Sequence, residues 1–147
     1  MSFRLSSNLV GVCSIVALMS LGCFGGEPSP PITSPSGEYV AFGAPSGPEA
    51  GDDQFCVVLH VTDRAGHEFT FQSHASDNMK WALAWADENT LVLYSSDMGT
   101  TAYDVAGGSI SVRDDPTPDE QQAANAAYLR TYGQPPHSGF PPAAAGK

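Results

Sequence analysis

A mainly β fold, built as a small antiparallel meander sheet with one C-terminal helix packed against it, is what three features of this sequence predict. Between Gly37 and Arg113 short apolar runs alternate with a period of two. The links between those runs are only a few residues long and are made of turn-forming types. A single later stretch carries helix start and stop signals together. The 147 residues leave room for one domain.

Strands are predicted at about 38–43, 54–62, 67–73, 79–86, 90–95, 100–105 and 109–113. The pattern is clearest in Met79-Lys80-Trp81-Ala82-Leu83-Ala84-Trp85. Met79, Trp81, Leu83 and Trp85 fall on one face of a strand, and Lys80, Ala82 and Ala84 on the other. Ala, Leu, Met and Lys also favour a helix; four large side chains in strict alternation decide for the strand. Asp63 opens a turn that Gly66 completes, and Asp87-Glu88-Asn89 and Asp97-Met98-Gly99 have the same character. Such short links favour antiparallel neighbours, because a parallel crossover takes a dozen or more residues. Between the second and third runs the register is open by one residue. That slip decides whether Cys56, Val58 and His60 share a face with Phe69 and Phe71.

The helix signature begins at Asp114-Asp115-Pro116-Thr117-Pro118-Asp119-Glu120. Thr117 is placed to cap, Pro118 to occupy the first helical position and Glu120 to complete a capping box. Acids gather at the N-terminal end of the dipole, Arg130 lies near the other, and Gly133 terminates the helix. Ala124, Tyr128 and Tyr132 share one face that can pack on the sheet. Residues 134–147 are Pro/Ala-rich and read as a disordered tail.

Charge narrows the function classes. Lys and Arg total 6 against 16 Asp and Glu, a net charge of −10, with a pI near 4.4. A nucleic-acid binder normally shows a basic patch, and attraction to an anionic membrane needs basic side chains. Neither fits this chain.

At the N-terminus Arg4 is followed by an apolar run from Leu9 to Leu21. Its length of about 13 residues suits a secretory signal segment and falls short of a bilayer span. Ser20-Leu21-Gly22-Cys23 resembles the lipobox of bacterial lipoprotein precursors. The resemblance covers the first 23 residues and implies cleavage between Gly22 and Cys23, with palmitate-type acyl chains on Cys23. Ser20 stands where the family most often has Leu, and ordinary cleavage near Gly22 or Gly25 is the alternative. Family members held at the inner membrane often have Asp after the Cys; Phe24 here implies the outer membrane where the cell has one. The resulting division is a signal peptide over 1–22, a Gly/Pro/Ser-rich tether over 23–36, a β domain with its helix over 37–133, and the tail.

A second resemblance lies in the strands. Ser34-Pro35-Ser36-Gly37-Glu38-Tyr39-Val40-Ala41-Phe42 is similar to a turn-then-strand stretch of TolB-type and WD40-like β-propeller repeats, with Ser36 where those repeats have Asp. About 51 residues later Trp85-Ala86-Asp87-Glu88-Asn89-Thr90-Leu91-Val92-Leu93-Tyr94 repeats the pattern, close to one propeller blade. A closed propeller needs four to eight blades, and this chain has strands for at most two. The resemblance therefore implies a blade-like sheet.

Residues that carry chemistry are few. His60, His67 and His74 recur every seven positions, yet seven is an odd step on a strand and gives no common face; no metal site is expected. Asp52-Asp53 and Asp114-Asp115 lack the spacing of a calcium loop. With Cys13 in the removed segment and Cys23 lipidated, Cys56 is the one remaining thiol. It lies in the apolar run Phe55-Cys56-Val57-Val58-Leu59 and reads as a buried hydrophobe. Neither a phosphate loop nor a nucleophile motif appears, so no catalytic residue and no cofactor is expected. The sequence reads as a lipid-anchored cell-envelope protein, non-enzymatic, acting as a binding or assembly module with a protein partner. A periplasmic inhibitor of a basic, lysozyme-type hydrolase is the alternative, steered by the acidic surface.

Overall fold

The computed structural model describes residues 26–46, 55–113 and 115–136. Among them the chain forms β1 (Ile32–Thr33), β2 (Tyr39–Pro45), β3 (Cys56–Asp63), β4 (Glu68–Ser76), β5 (Trp81–Trp85), β6 (Thr90–Ser95), β7 (Gly99–Ala106), β8 (Ser109–Arg113) and α1 (Pro118–Tyr132). The mainly β reading, with one helix packed on a sheet, holds. The strands divide between two antiparallel meanders, β1-β2-β3-β4 and β5-β6-β7-β8. Both have an apolar face to bury, and stacking one on the other buries both.

The shared core lies between the sheets. Ala41, Val57, Leu59, Val61 and Ala75 of the first sheet meet Leu91, Leu93, Tyr103 and Val105 of the second, all buried. Aromatic rings fill the seam: Tyr39 stacks on Trp85 with ring centres 6.0 Å apart, and Phe71 meets Tyr103 edge-on at 5.5 Å. Trp81, Leu83 and Trp85 pack into this core while Ala82 and Ala84 point the other way, under the helix. The alternation in β5 therefore serves two layers, large side chains between sheets and small ones beneath α1. Met79 lies before the strand and is exposed.

The structure closes the open register. Leu59 pairs with Phe71 and Val61 with Phe69, which puts Val57, Leu59 and Val61 on the core face and Val58 and His60 on the outer face. A register shift between Cys56 and Val58 then lets Cys56 and Val57 both be buried. Ser73 supports that irregularity by donating its hydroxyl to the Val57 carbonyl at 2.7 Å.

Part of the stretch read as tether is docked. Ile32 and Thr33 pair with Ala41 and Val40. Ahead of them Ser29 donates its N–H to the Gly43 carbonyl and accepts the Gly43 N–H on Oγ. Ile32 is the one large apolar residue in the described part of that segment, and it packs against the core. Prolines are tolerated beside it because β1 is an edge strand.

The two turn-then-strand stretches lead into the second strand of their respective sheets, β2 and β6. Ser36 Oγ accepts the N–H of Glu38, and Asp87 Oδ1 accepts those of Asn89 and Thr90. The same side-chain turn thus recurs at equivalent positions.

Helix α1 carries the cap read from sequence. Thr117 and Glu120 form a reciprocal capping box, Pro118 is the first helical residue, and Gly133 closes the helix at φ 68 with its N–H on the Leu129 carbonyl. Ala124, Ala127 and Tyr128 are buried against Ala82, Ala84, Val92, Tyr94 and Ala102. Small residues on both surfaces let the helix lie close to the second sheet.

Glu120 has a second role. It is 6 % exposed, and Arg113 at the end of β8 donates to it at 2.6 Å and 3.1 Å while also reaching Asp104. The Arg113 guanidinium, together with the Thr117 N–H, holds the Glu120 carboxyl below its ordinary value. A depressed carboxylate adds stability that is complete above the unfolded value of 4.5 and is lost as the pH falls through the lower folded value. Glu120→Gln is therefore expected to flatten the acid limb of the stability curve, read by urea melts from neutral pH down to about pH 3.

Candidate functional site

Of the residues singled out from sequence, Cys23, Gly22, Asp52, Asp53 and Asp114 lie outside the described residues. The three histidines occupy separate places. His60 pairs with Glu68 at 3.0 Å and stacks on Phe42, His67 pairs with Asp63 at 2.9 Å, and His74 is exposed on β4. Among the described residues no three of His, Cys, Asp and Glu converge as a metal site would require. Cys56 is buried, and its N–H donates to Ser46 Oγ. Trp81, Trp85, Tyr94 and Tyr103 all pack inward to some degree, Tyr94 and Tyr103 fully.

The structure forms a site that the sequence did not single out. A cleft of about 490 Å³ opens where residues 26–32, β5 and the last turns of α1 come together. Trp81, Leu83 and Tyr132 form its floor and helix side, Pro28 and Pro30 its other wall, and Asp77 lies in its lining. Trp81 is held there by Gly43, whose missing side chain leaves room for the indole: a Cβ at position 43 would stand 2.7 Å from it.

Tyr132 fixes the helix to the edge of the second sheet. Its hydroxyl accepts the Trp81 N–H at 3.1 Å and donates to the Trp81 carbonyl at 2.8 Å. Its ring lies on Tyr128 and beneath the Lys80 ammonium, 5.3 Å from the ring centre. Those two bonds define the edge of β5. In an antiparallel pair alternate residues turn both backbone groups toward the partner or both away. Trp81 turns both toward Tyr132, so Leu83 and Trp85 also turn theirs away from β6. Lys80 and Ala86, the intervening parity, bond to Ser96 and Thr90 instead. No described strand pairs with β5 on that side, and Leu83 lines the cleft.

Asp77 is the unusual polar group here. It is 9 % exposed, and its Oδ2 has no hydrogen-bond partner among the described residues. Burial pushes its carboxyl above the ordinary value, an effect the Ser46 backbone partly offsets. A buried carboxylate oxygen left without a donor is costly. Asp97, in contrast, has a donor on each oxygen. It accepts the Ser95 hydroxyl and the Ser76 N–H, joining the end of β4 to the β6–β7 turn.

Sequence reasoning missed this cleft because its parts are far apart in the chain and meet only through the docking of α1. The one local signal was Tyr132, placed on the packing face of the helix. Among the described residues no helix is long and apolar enough to cross a membrane. Compared with known families, curated proteins and solved structures, the chain matches none of them.

Proposed function

We propose that this chain is a cell-envelope protein anchored by acyl chains on Cys23 after cleavage at Gly22–Cys23, and that it works by contact, as a non-enzymatic binding module. The signal-like N-terminus and the Ser20–Cys23 stretch support the anchor. Each buried CH₂ contributes about 0.8 kcal/mol, so the two chains expected on Cys23 give lasting attachment. The single observation that carries the binding role is the cleft, which combines aromatic and proline lining with a strand edge that no described strand pairs with. Gly26 lines that cleft and stands three positions after Cys23, within about 10 Å of extended chain. The binding surface would then work close to the lipid. The two stacked meanders with their repeated turn support a blade-like ancestry for the scaffold.

The test joins anchor and cleft. Mass spectrometry of the mature N-terminus from native envelopes should show an acylated Cys23; an intact leader contradicts the anchor. A photo-crosslinking residue at exposed Met79, on the cleft rim, should give one defined adduct in envelopes. Thr131→Trp, which fills the cleft from an exposed helix position, should remove it. An adduct unchanged by Thr131→Trp contradicts the cleft as the contact site.

A further inference from the structure

We propose that the end of the domain around Gly26 rests on the bilayer itself, with the side chains of Phe55 and Met98 seated in the lipid headgroup layer. The inference rests on the anchor proposed above and names the surface that the anchor holds against the lipid.

Two independent observations carry it. The first is the length of the leash. A free segment over 23–36 would let the domain stand roughly 45–50 Å from the lipid. The fold takes most of that length away. Ser29, Ile32 and Thr33 bond to β2, through Gly43, Ala41 and Val40. Ahead of them Gly26 already lies against the domain, where a Cβ would stand 3.9 Å from the Asp77 carbonyl oxygen and from Pro45 Cγ. Only Phe24 and Gly25 separate Gly26 from Cys23, a reach of about 10 Å. On so short a leash, the surface around Gly26 is the one that meets the lipid.

The second is what that surface carries. Backbone bonds gather it from four places in the chain. The Phe55 carbonyl accepts the Asp77 N–H at 3.0 Å, and the Lys80 carbonyl accepts the Ser96 N–H at 3.0 Å. Asp97 accepts the Ser76 N–H at 3.0 Å, and Met98 follows it in the β6–β7 turn. Phe55, Met79 and Met98 are therefore at one end of the two sheets, 46 %, 51 % and 51 % exposed. Met79 belongs to the cleft rim; Phe55 and Met98 lie outside the cleft and pack on nothing that needs them. Exposed apolar side chains grouped beside a lipid attachment point suit insertion at the headgroup boundary, where attachment grows with the apolar area buried.

The remaining exposed large apolar residues do not form such a group. Val40 is beside the opposite turns, Val112 is on β8 and Leu129 is on α1. Charge does not draw this end to the lipid, since Lys80 and Arg130 stand against Glu27, Asp77 and Asp97 among the described residues. The contact is apolar, as a chain of net charge −10 requires.

The test uses the full chain, processed in cells and placed in phosphatidylcholine vesicles. A photo-crosslinking residue is introduced, one position at a time, at Phe55 and Met98, and at Arg64 and Glu88 in the exposed turns of the opposite end. Mass spectrometry reads the lipid adducts and, in the same sample, the acylation of Cys23. Adducts at positions 55 and 98 are expected to exceed those at 64 and 88 by about fivefold or more, and to persist at high salt. Met98→Ser, an exposed substitution that leaves the melting temperature unchanged, is expected to lower the adduct at position 55 about threefold.

Equal yields at the four positions, or no lipid adduct on a chain whose Cys23 is acylated, overturn the seating and leave the anchor standing. An unacylated Cys23 overturns both. Loss of the adducts at high salt, or an adduct at position 55 unchanged by Met98→Ser, overturns the apolar contact. Protein adducts in place of lipid adducts at positions 55 and 98 in native envelopes assign this end to a protein partner and overturn the proposal.

Discussion

Tyr128→Ala is expected to destabilise the protein by about 3–5 kcal/mol and to release α1 from the second sheet. Tyr128 is 1 % exposed and is the largest side chain the helix buries. Its ring meets Tyr94 at 4.8 Å on the sheet side and Tyr132 at 4.7 Å along the helix. Removing it leaves a cavity between two surfaces that are mostly alanine, with Val92 and Tyr94 on the sheet, and the alanines cannot reach inward to fill it. Tyr132 loses its packing partner in the same step, so the bonds to Trp81 that fix the cleft loosen too. Urea denaturation measures the first effect. The second appears as faster exchange at Trp81, whose N–H the Tyr132 hydroxyl accepts. A loss below about 1 kcal/mol would mean that α1 is held chiefly at its N-terminus, through Arg113 and Glu120. Tyr128→Phe keeps the ring and should retain most of the stability.

Gly43→Ala should produce the next largest change, about 1–3 kcal/mol, by overpacking rather than by a cavity. The added Cβ would stand 2.7 Å and 2.8 Å from the six-membered ring of Trp81 and 3.2 Å from Val57 Cγ1. Val57 is fully buried, so it has little freedom to yield. Trp81 must tilt instead, and the space open to it is the cleft. The expected result is therefore twofold: a lower unfolding free energy and an altered tryptophan near-ultraviolet signal. Unchanged stability with an unchanged tryptophan signal would contradict the close approach of β2 to the second sheet.

Local chemistry made much of this fold legible. The capping box at Thr117 and Glu120, the stop at Gly133 and the alternation from Trp81 to Trp85 are decided by neighbours in sequence, and each is present as read. The position of the chain relative to itself is another matter. The 77–80 link resembles the other short turns, yet it carries the chain into a second layer. That layer exists because Phe69 and Phe71 on one side and Trp81, Leu83 and Trp85 on the other need the same burial. The docking of residues 28–33 was masked by prolines, which fit an edge strand as readily as a tether. Glu120 was legible as a cap; its ion pair with Arg113 depends on β8 ending beside the helix start. The candidate site was the least legible part, because its lining comes from three separate stretches of the chain that meet only when α1 docks.

The most direct measurement of the cleft's role is hydrogen exchange at the Leu83 amide, in the free protein and in Thr131→Trp, which fills the cleft. Fast exchange in the parent, slowed by Thr131→Trp while the amides of β6 stay protected throughout, is the expected result. Slow exchange at Leu83 in the free protein, or protection that falls on β2 and β3 in its place, would contradict an open strand edge at this site.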